Sequence, residues 1–545
     1  MMAVLTSGLL MIAVVAILGL NMSRQRAVYQ RADWMQAYYH AENVLNWAAQ
    51  QIADADAGGT SAAFLGQYSV ANTKITLPYL TELVATPSSL FKESWLTIQN
   101  DPSGLPDLYQ VTSSAKVGDK TRTIRAQIRK NPPSLVFDYE YFLNNWGWWW
   151  GTSITGQGDN RANWDFDFRG SPTVNGNVIA NGSITENYNP IDPLHGPFPF
   201  HGWVHDHPLD YVHSGVPRIP MPNLQNFDYY KTKATNDQGQ LLLGTNIVVN
   251  AVHRNAAKPG LYLDGTTNPI TFKGPVVVDG DVVIKGQITG KGTLYVGGNL
   301  YIAGNLTYTN GPDFSIPPAT MPAANRDNWV RDNTNKTLVA FGVRLAVLGG
   351  NPNTSEWKQR CFDPSSYGLK NVGDERNLGQ DGILHTPDDG VPYLDTNNDG
   401  IPDSAWHDAD GDGVVDLNYN YDQQIFMTGD RAQLIYDYPV DDTGIPKSFD
   451  DCASNDMNRI DGVYYCNHAV AMRCAGNNLV WNGSVISRDE AIVFNSTALF
   501  KYDPRIHSRY SNDPNRFIDL GLPVANRVAI QHMEEVAPEE GFHSL

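Results

Sequence analysis

The chain has 545 residues, with 39 basic and 58 acidic side chains that give a formal net charge of −19. This acidic balance disfavours nucleic acid and anionic lipid as partners, and it favours solubility and the binding of cations. The 48 glycines, 33 prolines and frequent Asn-Gly and Asp-Gly pairs predict a turn-rich β protein, and the length allows about two to four domains.

The N-terminal stretch MMAVLTSGLLMIAVVAILGL, residues 1–20, contains no charged side chain. As a helix it would be about 30 Å long, enough to cross the hydrocarbon core of a membrane. A secretory signal peptide is disfavoured, because neither a basic segment nor a small-residue cleavage site surrounds the span. The nearby charges, Arg24, Arg26 and Arg31, follow the span, which for a simple anchor would leave the rest of the chain in the cytoplasm.

The same helix is predicted to continue as an amphipathic segment over residues 21–53. DADAGG, residues 54–59, then ends it, since glycines can end a helix and begin a linker. We therefore predict an N-terminal helical region over residues 1–57, apolar over 1–20. Its apolar side chains recur at steps of three and four residues, as on one face of a helix: Trp34, Ala37, Tyr38, Ala41, Val44, Leu45, Ala48 and Ile52.

The segment AYYHAENVLNWAAQQI, residues 37–52, lies behind an apolar run that ends in ILGL, and it resembles the PilX-like minor pilins and related large pilin-like proteins. The resemblance implies a helix that is first held in the inner membrane and then packs against copies of itself or other pilins. It also implies removal of a short basic leader and methylation of the new N-terminus, so that Met1 would be a mature N-terminus. Leu5 stands where major pilins usually carry a glutamate, so the subunit can be major or minor. An ordinary signal anchor is the alternative.

Residues 108–130, LYQVTSSAKVGDKTRTIRAQIRK, alternate apolar and polar side chains on both sides of a Gly118-Asp119 turn. This pattern predicts a β-hairpin. A small pilin-like β domain over residues 58–133, packed on the lower part of the helix, is the matching interpretation, and Pro132-Pro133 makes a natural boundary. The alternation sends one set of side chains to a core and the other to water: Ile124, Ala126 and Ile128 inward, and Arg125, Gln127 and Arg129 outward.

Four tryptophans lie within five residues in NNWGWWWG, residues 144–151. Such rings offer flat apolar faces that can stack on a sugar. They can also form an aromatic cap over the open end of a repetitive β fold, which needs covering, and this second interpretation is favoured. A similar Trp-Gly-Trp-Trp segment occurs in the pilin-like proteins that the chain resembles, which does not decide between the two.

Five of the 13 histidines lie between His195 and His213. His205 and His207, with Asp206 or Asp210 nearby, form a candidate transition-metal site. Their spacing matches no strong metal motif, so a loop rich in proline and histidine that packs on the β fold is favoured.

A six-residue repeat follows in KGPVVVDGDVVIKGQITGKGTLYVGGNLYIAGNLTYTNG, residues 273–311. Glycines recur every six residues from Gly274 to Gly304, and an aliphatic side chain follows most of them after two residues. Each hexad predicts a short strand with a glycine at the bend, and about three hexads make one turn of a parallel β-helix. We predict a parallel β-helix over residues 134–345. It resembles the bactofilin-like β-helix, and its handedness stays open.

Two tandem calcium-loop patterns lie in DTNNDGIPDSAWHDADGDGVVD, residues 395–416. Oxygen ligands stand at alternate positions, where they can wrap one hard cation, and a glycine at position 6 allows the sharp turn. The candidate ligands are Asp395, Asn397, Asp399 and Asp403 with the carbonyl of Ile401 in the first loop, and Asp408, Asp410, Asp412 and Asp416 with the carbonyl of Val414 in the second.

Neither loop ends as an EF-hand does. Position 12, where a bidentate glutamate should stand, holds Trp406 in the first loop and Tyr419 in the second. The loops therefore resemble thrombospondin type 3 or dockerin-type loops, which implies Ca²⁺ as a cofactor in an insertion over residues 346–425. A solvated acidic loop without metal is the alternative.

The four cysteines do not form a paired Cys-x-x-Cys zinc pattern. In an exported chain an even number predicts two disulfides, in any of three connectivities. Four buried thiols are the alternative for a cytoplasmic chain. The cysteines are Cys361, Cys452, Cys466 and Cys474.

Residues 426–545 are predicted to continue and cap the β-helix. GNNLVWNGSVISRDEAIVFNSTALFKYDPRI returns to the style of the repeat. In the PilX-like group such an Asn-Gly segment, followed by a stretch like Phe500, Tyr502 and Asp503, commonly closes the β-helix.

The whole sequence thus predicts a mainly β protein with a long N-terminal pilin-type α-helix, a small pilin-like sheet, and a parallel β-helix with a calcium-loop insertion. The predicted role is a structural, non-enzymatic subunit of an extracellular cell-surface filament, with a surface or glycan ligand as an adhesive target. The main alternative is a surface-anchored β-helix enzyme or binding protein acting on polysaccharide, for which Asp489-Glu490 near Arg488 are weak acid-base candidates. A cytoplasmic bactofilin-like scaffold would explain the hexads but neither the cysteines nor the calcium loops.

Overall fold

The structure is a computed structural model. It describes residues 2–54, 60–70, 73–74, 91–105, 107–144, 147–151, 153–170, 172–186, 189–190, 212–222, 224, 227–253, 260–352, 354–357, 449–467, 469–474, 478–488, 490–494, 497–525 and 528–537.

Helices are few in the described residues, and the first is by far the longest. The α-helices are α1 (Met2–Asp54), α2 (Thr60–Gln67), α3 (Phe227–Asn236), α4 (Ala323–Asp332) and α5 (Phe449–Cys452). Short 3-10 turns are Leu135–Asp138, Pro318–Thr320, Pro504–Ile506 and Ser508–Tyr510.

Strands account for most of the remaining regular structure. In chain order they are β1 (Thr73–Lys74), β2 (Phe91–Asn100), β3 (Leu108–Val117), β4 (Lys120–Lys130), β5 (Tyr141–Leu143), β6 (Gly147–Gly151), β7 (Ile154–Gln157), β8 (Asn160–Ala162), β9 (Phe166–Gly170), β10 (Thr173–Val174), β11 (Val178–Ala180), β12 (Ile184–Glu186), β13 (Asn189–Pro190), β14 (Val212–His213), β15 (Gln240–Leu243), β16 (Asn246–Asn250), β17 (Val252–His253), β18 (Leu261–Lys273), β19 (Val276–Val278), β20 (Val282–Val296), β21 (Leu300–Tyr308), β22 (Leu338–Val343), β23 (Val347–Gly349), β24 (Arg459–Cys466), β25 (Ala469–Arg473), β26 (Asn478–Ser487), β27 (Glu490–Phe494), β28 (Thr497–Tyr502) and β29 (Val528–Val536).

The fold is mainly β with a long N-terminal helix, which confirms the predicted class at this level. The chain divides into two compact units. Unit 1 is Met1–Pro132 together with Asn526–Leu545, and unit 2 is Pro133–Ala525. Unit 2 is therefore inserted in the sequence of unit 1, between β4 and β29.

Unit 1 is an antiparallel sheet packed on the second half of α1. Its strand order is β1-β2-β3-β4-β29, and each neighbouring pair is antiparallel. The core joins Leu45 and Ile52 of α1 to Val111 of β3 and to Ile124 and Ile128 of β4. The helix is thus held by the apolar face of the sheet.

The predicted hairpin is confirmed as β3 and β4, which pair as far as Val117 and Lys120 on either side of the turn. The prediction that Arg129 faces water was wrong, because its side chain is only 2% exposed. The segment between β2 and β3 explains this, since it is bonded to this end of β4. Gln127 Nε2 donates to Asp101 Oδ2 at 2.8 Å, and the Lys130 amide donates to the Asp107 carbonyl at 2.8 Å.

Strand β29 corrects the prediction that all of residues 426–545 continue and cap the β-helix. It lies instead in unit 1, where it pairs antiparallel with β4 from Val528 opposite Lys130 onward. Its acidic side chains face basic ones of β4. Arg122 Nη1 lies 2.9 Å from Glu535 Oε1, so charge complementarity supports the pairing.

Unit 2 contains a sheet of 20 strands among the described residues, and most of its pairings are parallel. Val276 of β19 pairs with Leu294 of β20, which holds the equivalent position about three hexads further along the chain. Arg459 of β24 pairs in the same parallel sense with Val480 of β26. Strand β15 differs, because it pairs antiparallel with β16 and β18. A separate group has the order β13-β12-β9-β6.

The aliphatic side chains of the hexads point into one core, as the repeat predicted. That core also contains aromatic side chains from strands far apart in sequence, including Phe341, Tyr464 and Trp481. Six hexad residues in it are 0% exposed: Val276, Val282, Ile288, Leu294, Leu300 and Leu306.

The boundary predicted for the calcium-loop insertion, residue 346, is early by a few residues. Strand β23 belongs to the sheet, because Val347 pairs with Val470 of β25. The chain returns at α5, which is tied to the departing segment by a hydrogen bond from Asn351 Nδ2 to Asp450 Oδ1 of 3.0 Å. Residues 358–448 lie outside the described residues.

The prediction of two disulfides is wrong for the three cysteines that the structure describes. Cys452, Cys466 and Cys474 are buried thiols that form no disulfide. Cys466 Sγ donates to Ser487 Oγ at 3.4 Å, and burial raises the pKa of the Cys474 thiol to about 12. These side chains fill core positions as small apolar groups. Cys361 lies outside the described residues.

The repeat glycines are not equivalent, and this gives a test of the stacking. A Cβ on Gly286, which has a φ of +95°, would lie 2.4 Å from the Gly265 carbonyl carbon, whereas a Cβ on Gly304 would come no closer than 3.5 Å to Lys285 Cβ. We expect Gly286→Ala to lower the free energy of unfolding of unit 2 by more than about 2 kcal/mol. The matched change Gly304→Ala should alter it by less than about 1 kcal/mol.

Urea denaturation of the two variants measures this difference. Equal losses at the two positions would show that the glycines serve only as flexible bends and not as sites of close backbone approach.

Candidate functional site: the N-terminal helix

Helix α1 falls into two segments that differ in their contacts. Every residue from 18 to 32 is exposed, whereas most side chains from Ala37 to Ala53 that face the sheet are buried. With 53 residues, α1 is about 80 Å long at 1.5 Å per residue. We call residues 18–32 the exposed segment and residues 37–53 the packed segment.

The packed segment uses small side chains to bring the helix close to the sheet. Ala37, Ala41 and Ala48 are all 0% exposed. At Ala41 the approach is close enough for the Ser113 hydroxyl of β3 to donate to the helix carbonyl at 2.8 Å. The predicted apolar face is therefore confirmed for this segment, and alanine there serves contact rather than helix propensity alone.

The contact with the sheet begins at Asp33 and Trp34. The turn of the β-hairpin reaches the helix there, since a Cβ on Gly118 would lie 2.9 Å from Asp33 Oδ2. The Arg122 guanidinium lies 4.1 Å from the centre of the Trp34 ring, a cation–π contact. Further along the helix, burial lowers the pKa of His40, so the helix becomes less solvated from this level onward.

At its other end the packed segment is covered by α2. The rings of Trp47 and Phe64 are 5.6 Å apart in an edge-to-face arrangement, and Trp47 and Tyr68 are 6.1 Å apart. Such pairs add about 0.5–1.5 kcal/mol to the burial of area. The packed segment is thereby held by the sheet and by α2.

The exposed segment carries large apolar side chains in water. It also carries the three arginines Arg24, Arg26 and Arg31. A contiguous apolar surface marks an interaction site, and Leu18, Met22 and Tyr29, at steps of four and seven residues, share one face of the helix. The exposed fractions are 56% for Leu18, 62% for Leu20, 56% for Met22, 67% for Val28 and 69% for Tyr29.

Within the part of the chain that the structure describes, no helix is both long and apolar enough to cross a membrane.

The predicted calcium ligands, residues 395–416, lie outside the described residues, so the structure does not place them. Among the described residues no group of three or more His, Cys, Asp or Glu side chains is arranged to hold a metal ion. Calcium binding at the two loops stays a prediction from the sequence.

The histidine cluster also lies mostly outside the described residues, including His195, His205 and His207. His213 is described in β14, where its Nε2 lies 3.4 Å from Asn177 Oδ1. The proposed metal site between these histidines is therefore not placed by the structure.

One side chain of the tryptophan cluster, Trp149, lies in the core. Trp149 is 4% exposed and packs against Tyr141 at 5.7 Å and Phe500 at 5.4 Å between ring centres. A buried ring offers no face to a sugar, so Trp149 does not form the stacking platform. Trp146 lies outside the described residues.

The structure does not describe the side chains of Asp489 and Glu490, so it does not test the acid-base candidates of the enzyme alternative. Arg488 is 5% exposed, with its Nη1 donating to the Pro222 carbonyl at 3.4 Å. Glu140 was not singled out from the sequence. Burial raises the pKa of its carboxyl group to about 8. Glu140 is 1% exposed and accepts a hydrogen bond from the Gln157 amide at 2.9 Å, so it is a structural group.

No protein-family model matches this sequence, and no curated protein matches it either. Among solved structures, the chain is similar to the competence-associated pilin ComZ from Thermus thermophilus, with a TM-score of 0.27 and 11% sequence identity over 92% of this chain and 98% of that chain. A TM-score of this size carries no argument about function. The resemblances to PilX-like pilins, bactofilins and thrombospondin type 3 loops stay predictions.

Proposed function

We propose that this chain is a structural subunit of an extracellular type IV pilus-like filament, in which α1 packs against copies of itself or other pilins. The observation that carries the proposal is the contrast within one helix. The packed segment is buried on its own sheet, whereas the exposed segment presents Leu18, Leu20, Met22, Val28 and Tyr29 to water.

The energetics of this exposure favour association. Full burial of one such side chain is worth about 1.5–3 kcal/mol. Several exposed on one helix therefore supply a large driving force for packing with neighbouring helices. Before assembly, the apolar residues 1–20 would allow the same helix to lie in the inner membrane.

Unit 2 is, in this proposal, a parallel β-helix displayed on the filament surface. Its strands pair in parallel with partners roughly one turn of such a helix further along the chain, as between Val276 and Leu294 or Arg459 and Val480. Side chains at equivalent positions, such as the hexad valines and leucines, share one core. Repeated turns of chain stacked in register have these properties.

Purified surface filaments test the function directly. Cells that make the protein should release polymers on shearing, and electron microscopy with mass spectrometry should identify this chain in them. The same mass spectrum decides whether Met1 is the mature, methylated N-terminus. Recovery of the chain only in membrane monomers would reject the proposal.

Calcium binding is proposed for the loops of residues 395–416 on the strength of their sequence. Removal of Ca²⁺ leaves four acidic groups around the second loop, Asp408, Asp410, Asp412 and Asp416, and like-charge repulsion should open it. We expect a chelator to make residues 390–420 sensitive to protease while the β-structure seen by circular dichroism is largely kept, because stacked strands support one another.

The variant Asp412→Ala should reproduce the effect at the second loop without chelator. Unchanged proteolysis and melting temperature on chelation, with no calcium co-purified, would reject the site.

We also propose that the chain is not an enzyme. Loss of turnover of an acidic polysaccharide on chelation would replace the structural role with the enzymatic alternative.

A further inference from the structure

A cleft of about 400 Å³ lies in unit 2, where the end of α4 meets the segment that follows the 3-10 turns near the end of the unit. Its volume is within the range of small-molecule sites, about 300–1,000 Å³. The lining is mostly polar and includes Lys291, Thr334, Asn335, Asn515, Phe517 and Asp519.

Lys291 gives this cleft a positive charge, and the exposed carboxylate of Asp519 lines the same cleft. Lys291 of β20 is half-buried and makes no ion pair with a described acidic side chain. The register places Lys273 of β18 directly beside it, exposed and outside the lining of the cleft. Two like charges at paired positions repel each other.

The surroundings of Lys291 add to the positive potential. Burial and the nearby charge of Arg505 lower the pKa of Lys291. Arg505 itself is fully buried, and its guanidinium is paired with the carboxylate of Asp503. Lys291 is therefore the cation of this group that lines the cleft and can meet a ligand.

The rest of the lining suits hydroxyl groups rather than a bare ion. Asn335 and Asn515 are exposed, and an amide side chain both donates and accepts hydrogen bonds. The Thr334 hydroxyl donates to the Arg331 carbonyl at 3.0 Å, which leaves its oxygen able to accept. Phe517, half-buried, adds an aromatic surface of the kind that packs on the apolar face of a sugar ring.

Asp519 gives the cleft a negative charge in addition to the positive charge of Lys291. Its Oδ1 accepts from the Gly521 amide at 3.0 Å, so its carboxylate is held by its own turn. A ligand with a single negative charge meets Lys291 with that charge and Asp519 with hydroxyl groups. A ligand with negative charge at both ends is repelled by Asp519.

We propose that this cleft binds an acidic saccharide, with the sugar carboxylate on Lys291 and the sugar hydroxyls on Asn335, Asn515 and Asp519. The site lies wholly in unit 2 and does not depend on assembly of α1. It gives the displayed unit a ligand class that filament formation alone does not provide.

Binding to the detergent-dispersed full-length chain tests the site without any filament. D-glucuronate and D-glucose form a matched pair that differs in the carboxylate. Saturation-transfer NMR titrations should show glucuronate binding at least about tenfold more tightly than glucose, because only the carboxylate of glucuronate can form a charge-assisted hydrogen bond with Lys291.

Lys291→Met keeps the apolar stem and removes the charge, so it should abolish this preference. Lys336→Met is the control, because Lys336 Nζ donates to Asn310 Oδ1 at 3.0 Å and does not line the cleft. An equal effect of the two changes, or equal binding of glucose and glucuronate, would overturn the proposal. So would displacement of glucuronate by an equal concentration of acetate, because that would make the cleft a simple anion site.

Discussion

Replacement of Leu18 by aspartate should abolish filament assembly and leave the subunit folded. Leu18 is 56% exposed in the described chain, so in the isolated subunit the new carboxylate stays in water. Between packed helices it would be buried without a partner, at a cost of several kcal/mol. Sheared filaments, counted by electron microscopy, measure assembly. The melting temperature of the dispersed protein measures folding.

Leu18→Met is the matched control, since it keeps the apolar character and nearly the volume, and it should assemble normally. A membrane-anchored monomer would also be disturbed by aspartate in its span. The effect is therefore informative only where the wild type is released from cells as polymer. Normal filaments from Leu18→Asp would show that the exposed segment is not the assembly surface.

Local patterns predicted the elements whose contacts are local or repetitive. The period of the helix is visible because Ala41, Val44, Leu45 and Ala48 recur at three and four residues and all face one sheet. The hexad core is visible for the same reason, since the six-residue spacing places equivalent side chains in one core. In both cases one short periodic pattern predicts which of many side chains are buried.

Long-range pairing was not predictable in the same way. The chain leaves β4 at Lys130 and returns to it at Val528, and no local pattern in the last residues indicates which sheet they join. Arg129 looked outward by alternation, but a separate segment, tied through Asp101, lies at the same end of the sheet. Two disulfides were predicted from the even number of cysteines, although Cys466 and Cys474 are explained by their burial in the core.

The sequence predicted the apolar face of the candidate site but not its contacts, and the reason is physical. Periodicity shows which face of a helix is apolar, but not what covers it. Trp34 was assigned to the packed face, yet it is 37% exposed and is covered in part by Arg122. The point at which α1 leaves the sheet depends on the length of the β-hairpin, whose turn reaches Asp33.

Excision of unit 2 should leave a small subunit that folds and assembles into thinner filaments. Lys130 and Val528 are paired neighbours across β4 and β29, so a two-residue turn can join them. Asn131 already has a φ of +46°, as the first central residue of a type I′ turn requires. Replacement of residues 132–527 by one glycine gives Lys130-Asn131-Gly-Val528, the preferred sequence for that turn.

The expected result is a melting temperature for the short chain close to that of unit 1 in the full chain, with filaments of reduced diameter in the electron microscope. A chain that simply ends at Pro132 is the matched control. It lacks β29 and the contact of Arg122 with Glu535 at 2.9 Å, leaves β4 as an open edge, and should melt lower or aggregate. The short chain with Leu18→Asp should fold without assembling. An unfolded short chain would show that unit 1 depends on unit 2. A folded chain that fails to assemble would show that unit 2 takes part in the filament contacts rather than being carried by them.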